Sequence, residues 1–372
     1  MPLERIAMVC SDGIGDCIAA IPTLRALRRI YPGAQVTVIA HPYSAGVFSR
    51  IAGVDEVLPL HPAFMNKARY YAELLALRRR RYTIWLDLLR TSRSFTQTLL
   101  IGASRRIGFR RKAWQAFAYT DLLPPNTRHD KRMALHYAET LKPLNASLEE
   151  QDWQFSLELT EEDRGRAREL LQSRGVAAGQ PYAILQATFT HHGRHPFQEW
   201  PMDRFSEIAR RLSDELGFKV VITSRSEFEA PVQELMRLSH SRIVNLAGAT
   251  PIPVLAAVIE GASVYVGHNT GPMHIASLVG TPIAAFFEIP NDMVEWKPWT
   301  GVPLRQIRSG ARCAGCQCGS PDRDWCLRTV PADVVFEAVR DLLQPAPLET
   351  VEASNAATEA WKTSSTMMAS RH

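Results

Sequence analysis

Four groups of residues in this chain have the types and spacing that chemistry needs. The first is Ser11-Asp-Gly-Ile-Gly-Asp16. Gly13 and Gly15 let the backbone turn sharply and leave Asp16 at the start of a helix, either as a plain cap or as a carboxylate held at a cleft for base chemistry. The second is Asn269-Thr-Gly-Pro-Met-His274. It reads as a turn between a strand and a helix, where the N–H groups of Thr270, Gly271 and Met273 are left unpaired. With the Thr270 hydroxyl and His274 beside them they could hold a phosphate. Equally, this could be a Gly-Pro turn in which His274 only packs. The third is the run from Ser104 to Trp114, with five basic residues interleaved with Phe109 and Trp114. It reads as a surface loop, or as a dock for an anionic acceptor. The fourth is Cys313, Cys316, Cys318 and Cys326, four thiols within 14 residues. They would suffice for a closed tetrahedral zinc or iron site, while reduced packing cysteines are the plainer alternative. Four thiolates leave no open position, so such a metal would be structural.

The elements that must position these groups follow from the hydrophobic pattern. Arg5–Cys10 reads as a strand and Cys17–Ile30 as a helix, with Ile18, Ile21, Leu24 and Leu27 on one face and Pro22 in its early turns. Strands are expected at 35–40, 56–60 and 82–88, and helices at 70–81 and 128–144. An extended stretch, 153–159, ends in the capping signature Thr160-Glu-Glu-Asp163, which places a domain boundary there. A second alternation follows, with strands at 182–186, 219–223, 243–245, 262–266 and 282–287. Its helices are expected at 203–216, 227–238, 253–260, 273–279 and 333–343. The result is α/β: residues 1–157 and 158–345 form two Rossmann-like domains with mainly parallel sheets, and 346–372, rich in Ala, Ser, Thr and Glu, reads as a disordered tail. The third glycine of a dinucleotide fingerprint would fall at Ile18, which argues against a nicotinamide or flavin enzyme.

Composition sets the outer bounds. With 46% hydrophobic and 22% charged residues the chain is an ordinary globular one. It has no run of 18 apolar residues and no signal-peptide pattern at its start, so a cytoplasmic location is expected. Charge is uneven: residues 1–160 carry 22 Lys and Arg against 14 Asp and Glu, while the remainder carries 21 against 24. The first half should therefore meet something anionic. Without a compact basic module, nucleic acid is not the expected partner.

Taken together, the motifs resemble glycosyltransferase family 9, the family of bacterial ADP-heptose heptosyltransferases. The resemblance rests on Gly15-Asp16 with Pro22-Thr-Leu-Arg, on Arg93-Ser94 and Arg106-Ile-Gly-Phe109, on Glu199-Trp-Pro, and on Asn269-Thr-Gly-Pro-Met-His-Ile-Ala-Ser277 with Gly280-Thr-Pro. It implies a GT-B type architecture, in which two Rossmann-like domains face a central cleft, and inverting sugar transfer with no cofactor required for catalysis. On matching positions it implies Asp16 as the base. Thr188, Gln198, Glu227, Asn269, Thr270, Gly271, Pro272, Met273 and His274 would lie around a nucleotide-diphosphate sugar. Gly15, Arg93, Arg105, Arg106 and Arg110 would lie around the acceptor.

Two positions depart from the family pattern. Gln198 stands where a lysine is usual, and Asn269 where an aspartate is usual, so one cation and one anion are lost together. Arg194, His192 or His195 could restore positive charge nearby. The resemblance therefore implies a lipopolysaccharide core precursor as acceptor, with two rival readings: transfer to protein Ser or Thr hydroxyls, and a non-catalytic protein that only binds the nucleotide sugar. Contact with the inner membrane would be at most peripheral.

Overall fold

The structure is a computed structural model that describes residues 4–10, 13–89, 92–110, 112–124, 131–188, 199–239, 243–287, 290–298, 301–309 and 326–344. Two six-stranded sheets, every strand pair parallel, make up the frame. The first holds β1 (Arg5–Cys10), β2 (Gln35–Ala40), β3 (Glu56–Pro59), β4 (Ile84–Asp87), β5 (Arg105–Phe109) and β6 (Asp121–Leu123), in the order 3-2-1-4-5-6. The second holds β7 (Tyr182–Gln186), β8 (Lys219–Ile222), β9 (Ile243–Asn245), β10 (Val264–His268), β11 (Ile283–Phe286) and β12 (Leu304–Ile307). Its order, 12-11-10-7-8-9, repeats the topology of the first. In each sheet the chain reverses direction between its first and fourth strands, and the crevice outside the carboxyl ends at that point is where such sheets bind ligands. Asp16 follows β1, Thr188 follows β7 and Asn269 follows β10, so the candidate residues belong to those two crevices.

The central strands are continuous apolar runs because both their faces are covered. In the first half, the even face of β1 (Ile6, Met8, Cys10) packs under helix α1 (Ile14–Ile30), which buries Cys17, Ile18, Ile21, Leu24 and Leu27. The odd face (Ala7, Val9) with Trp85 packs under α2 (Lys67–Arg79) and α3 (Ser92–Ile101) through Tyr70, Leu74, Leu77 and Ile101. Chain order continues with α4 (Met133–Ala138), α5 (Glu161–Ser173), α6 (Met202–Asp214), α7 (Glu229–Ser239), α8 (Ile252–Glu260), α9 (Gly271–Val279), α10 (Pro290–Glu295) and α11 (Ala332–Leu343). The Thr160 signature is a true capping box: its hydroxyl accepts from the Asp163 amide at 3.2 Å, and Asp163 Oδ2 accepts from the Thr160 amide at 3.0 Å. No described helix is long and apolar enough to cross a membrane.

Several elements differ from the sequence pattern. α1 begins at Ile14 rather than Cys17, so Pro22 sits in its third turn, where the ring forgoes one internal hydrogen bond. The basic run read as a loop contains β5, because Ile107 and Phe109 are buried and the flanking arginines bind backbone carbonyls. The segment expected as one helix over 128–144 is a short α4 followed by a 3₁₀ turn, Glu139–Leu144, that contains Pro143. The edge strands β6 and β12 are three and four residues long, too brief for an alternation to register. The tail 346–372 lies outside the described residues.

Candidate active site

The site is built where the first helix of one half meets the α9 helix of the other. The amino ends of α1 and α9 abut: a Cβ placed on Gly271 would lie 2.6 Å from Ile14 Cβ, and one on Gly15 would lie 3.0 Å from His274 Cδ2. Only glycine at both positions lets the two helix starts approach this closely. Each helix start carries partial positive charge and amides without intrahelical partners, so the junction suits a negatively charged group.

Asp16 stands in the first turn of α1, half exposed. Its Oδ2 accepts from the Gly13 amide at 3.1 Å and its Oδ1 accepts from the Tyr137 hydroxyl at 2.7 Å. The carboxylate thus both caps the helix and is aimed by a tyrosine from α4. Tyr137 is buried and carries no motif, and only its position on the face of a short apolar helix could have singled it out.

On the opposite side, Thr270, Gly271 and Pro272 are half exposed while Met273 and His274 are buried. The Met273 amide donates to the Thr270 carbonyl at 3.0 Å, so it is already engaged, contrary to the expectation from sequence. That bond closes the first turn of α9 on its N-cap residue. The Thr270 hydroxyl caps nothing in its own helix. Burial lowers the His274 pKa from 6.5 to about 4, so the imidazole is neutral at pH 7, and its ring meets Trp296 edge to face at 5.9 Å. A neutral imidazole can donate one N–H to a phosphate without bringing a charge. Asn269 is buried, its amide donating to Phe286 O at 3.2 Å.

The remaining donor-side residues line the ends of β7 and β8. The Thr188 and Ser224 hydroxyls are 2.7 Å apart, Gln186 Nε2 donates to Thr188 O at 2.8 Å, and the Thr223 hydroxyl donates to Gln186 Oε1 at 2.9 Å. This chain of polar groups fixes Thr188 at the crevice. Glu227 is exposed and ion-paired with Arg225. Arg225 in turn lies 5.2 Å over the ring of Tyr43, from the other half, whose hydroxyl accepts from the Ile14 amide at 3.2 Å. Burial pushes the Tyr43 hydroxyl up to about 12. Neither Arg225 nor Tyr43 stood out in the sequence, because each acts across the junction. Gln198, with His192, Arg194 and His195, lies outside the described residues.

The arginines divide. Arg105 and Arg106 open β5, at the amino edge of the sheet, away from the crevice. Arg105 is bound to Asp121 at 3.1 and 3.2 Å, and Arg106 donates to Ala118 O and Ala103 O at 2.6 Å each. Arg110 is exposed just past the carboxyl end of β5. Arg93 lies in the first turn of α3, which follows β4. Of the cysteines, Cys326 is buried ahead of a 3₁₀ turn, while Cys313, Cys316 and Cys318 lie outside the described residues. Among the described residues no group of three or more His, Cys, Asp and Glu could hold a metal ion.

Two parallel-sheet halves joined in this way have counterparts among known proteins. The family model described as glycosyltransferase family 9 (heptosyltransferase) matches residues 73–318. The chain belongs to glycosyltransferase family 9. It is 25% identical over 341 residues to a lipopolysaccharide heptosyltransferase 3 of Escherichia coli, covering 88% of this chain and 96% of that one. Among solved structures, a family 9 glycosyltransferase from Veillonella parvula DSM 2008 superposes with a TM-score of 0.76 at 20% identity, covering 92% of this chain and 98% of that one. The E. coli ADP-heptose lipopolysaccharide heptosyltransferase II superposes with a TM-score of 0.70 at 19% identity, covering 91% and 98%. The family 9 chain is a glycosyltransferase of GT-B type fold, and its two crevices are those of the nucleotide-type halves described above.

Proposed function

We propose that this family 9 glycosyltransferase moves a heptose from ADP-heptose to a hydroxyl of a lipopolysaccharide core acceptor, with inversion at the anomeric carbon. The supporting observation is the abutment of the helix start that carries Asp16 against the 269–274 turn, with Ile14 against Gly271 and Gly15 against His274. The acceptor oxygen attacks the anomeric carbon on the face away from ADP, and Asp16 takes its proton. The bond from that carbon to the β-phosphate oxygen breaks, with the electron pair leaving on the diphosphate. The Thr270 and Gly271 amides, the Thr188 hydroxyl and a neutral His274 N–H stabilise that developing charge. Pro272 and Met273 shape the turn, and Gln198, Glu227 and Asn269 complete the donor side. On the acceptor side Gly15 allows close approach, and Arg93 and Arg110 meet anionic groups. Arg105 and Arg106 have no part in this reading, because their guanidinium groups hold Asp121 and backbone carbonyls at the far edge of the sheet.

The reaction runs in the cytoplasm and asks for no cofactor. A zinc or iron at Cys313, Cys316, Cys318 and Cys326 would tie the chain before α11 and touch no substrate. Stoichiometric metal in protein purified without added ions supports that site, and four free thiols with substoichiometric metal oppose it.

The deciding experiment incubates the protein with a panel of nucleotide sugars, with and without core glycolipid or hydroxyl-bearing protein acceptors, and follows nucleoside diphosphate release. Acceptor-dependent ADP release from ADP-heptose, with inverted configuration in the product by NMR, supports the proposal. Release only with a protein acceptor moves the activity to protein heptosylation. Binding of ADP-heptose without turnover under any condition leaves a binding protein.

A further inference from the structure

The large apolar side chains that this protein leaves in water are concentrated in one region. Eight of the eleven exposed among the described residues fall between positions 64 and 117. Two pairs of neighbours stand well out: Phe64 and Met65 at 77% and 64%, and Trp114 and Phe117 at 53% and 64%. Topology brings the pairs to one edge. Phe64 and Met65 follow β3 and lead into α2, while Trp114 and Phe117 sit on a 3₁₀ turn, Ala113–Ala118, that follows β5. Phe64 and Met65 lie beyond the carboxyl end of β3. The turn holding Trp114 and Phe117, on the crossover from β5 to β6, sets both rings against Phe95 in the first turn of α3, which follows the carboxyl end of β4, the edge from which Asp16 rises after β1.

The aromatic pair is built rather than loose. Phe95, in the first turn of α3, takes Trp114 edge-on at 4.8 Å and Phe117 edge-on at 5.2 Å. Two large rings are thereby held out to solvent by a third that is itself buried. The charge is equally one-sided. Residues 64–117 hold thirteen Lys and Arg against two acids, Glu73 and Asp87, and Asp87 is buried. Arg78 to Arg81 at the end of α2 and Arg105 and Arg106 at the start of β5 belong to the opposite edge and take no part. At the edge itself Lys67, Arg110 and Lys112 are exposed beside the aromatic pairs.

We propose that this edge docks the first half onto an anionic phospholipid bilayer, with Phe64, Met65, Trp114 and Phe117 entering the headgroup layer and the surrounding cations meeting lipid phosphates. Aromatic rings suit the boundary between water and acyl chains, and basic side chains next to them add attraction to an anionic surface. The same patch on a second copy would bring like charges together across a twofold axis, so self-association is the poorer fit. Docking at this edge turns the Asp16 crevice toward the bilayer, where a lipid-anchored acceptor would present its sugar. That last consequence rests on the proposed acceptor class, whereas the docking itself does not.

The test uses the full chain without substrates, so its failure is distinguishable from failure of the enzymatic reading. Cosedimentation with phosphatidylglycerol-containing vesicles is compared with pure phosphatidylcholine vesicles at low salt and at about 0.5 M NaCl. Binding at least about 10-fold tighter to the anionic vesicles, weakened by salt, is expected. Trp114→Ser with Phe117→Ser, and separately Phe64→Ser with Met65→Ser, should each weaken it by about 10-fold. Both variants should stay folded and keep turnover on an acyl-free soluble acceptor, with a lowered melting temperature only in the Trp114 and Phe117 variant, where Phe95 loses its two ring contacts. Equal binding to both vesicle types, or variants that sediment like the parent, overturns the proposal. So does a dimer or an RNA complex that either double variant abolishes, since the patch would then belong to that partner.

Discussion

The hydroxyl of Tyr137 donates to Asp16 Oδ1 at 2.7 Å while the Gly13 amide holds Oδ2 at 3.1 Å. One carboxylate is therefore fixed from two elements, the start of α1 and the end of α4, that only tertiary packing brings together. Fixing both oxygens sets which lone pairs point into the crevice. A base must reach its proton with little reorganisation, so this arrangement favours attack at one position over others.

Replacing Asp16 by Asn keeps the shape and removes the proton acceptor. Turnover should fall by at least about 1000-fold, with ADP-heptose affinity within a few-fold of the parent by calorimetry. Unchanged turnover would remove Asp16 from the chemistry.

Tyr137→Phe removes only the aiming hydroxyl. We expect kcat to fall by about 10-fold with the donor KM nearly unchanged, because the tyrosine touches the base and not the nucleotide. A rise in KM alone would assign Tyr137 to substrate binding instead.

Gly271→Ala tests the junction. The new methyl would meet Ile14 Cβ at 2.6 Å, too close for packed atoms, so the helix starts must separate. A stability loss of about 1–3 kcal/mol and a strong loss of turnover are expected. Adding Ile14→Gly, which removes the Cβ that the new methyl would strike, should restore part of both. If the double variant is no better than the single one, the two helix starts are not in contact in solution.

Much of this was legible in the sequence, and the rest was hidden for identifiable reasons. β7 matched its apolar run residue for residue, and the Thr160 capping box marked the start of α5, because both signals are local. β5 was obscured because two arginines stand inside the strand, Arg105 held by the Asp121 carboxylate and Arg106 by the carbonyls of Ala118 and Ala103, partners of which Asp121 and Ala118 are brought near only by the fold. Asp16 announced itself through its glycines. Tyr137, Tyr43 and Arg225 did not, since each matters only through a partner far away in the chain.

Arg50 and Asp163 tie the halves together behind the crevice. Arg50, following β2, donates from Nε and Nη2 to the two Asp163 oxygens at 2.7 and 2.9 Å, while Arg164 next in sequence grips Glu260 of α8 at 2.7 and 3.0 Å. α5 is thus bound to both halves through consecutive residues. The Arg50 guanidinium holds the Asp163 carboxyl well below the usual carboxylate range. Arg50→Ala leaves that nearly buried carboxylate unpaired and should cost about 2–3 kcal/mol in chemical denaturation. Because the folded-state pKa is lowered, the contribution is present above about pH 4 and is lost as pH falls further, so parent and variant stabilities should converge in acid.

His274 carries the opposite charge logic. Burial lowers its pKa to about 4, so the folded state keeps it neutral while the unfolded chain takes up a proton below about pH 6.5. The unfolded state then binds more protons between those values, and stability must fall as pH drops through the window, by at most roughly 1.4 kcal/mol per pH unit from this one group. His274→Gln removes the titration but keeps a side chain able to donate one N–H. Its stability should therefore vary less than the parent's between pH 6.5 and 4.5, with the two profiles parallel above pH 7. Donor affinity should survive within about 10-fold, because a neutral donor replaces a neutral donor. Parallel profiles through the acid window would mean that His274 titrates in the folded protein as it does in the unfolded chain, so that it is a cation below about pH 6.5. The diphosphate would then meet a cation, and loss of that charge in the glutamine variant should weaken ADP-heptose binding well beyond 10-fold.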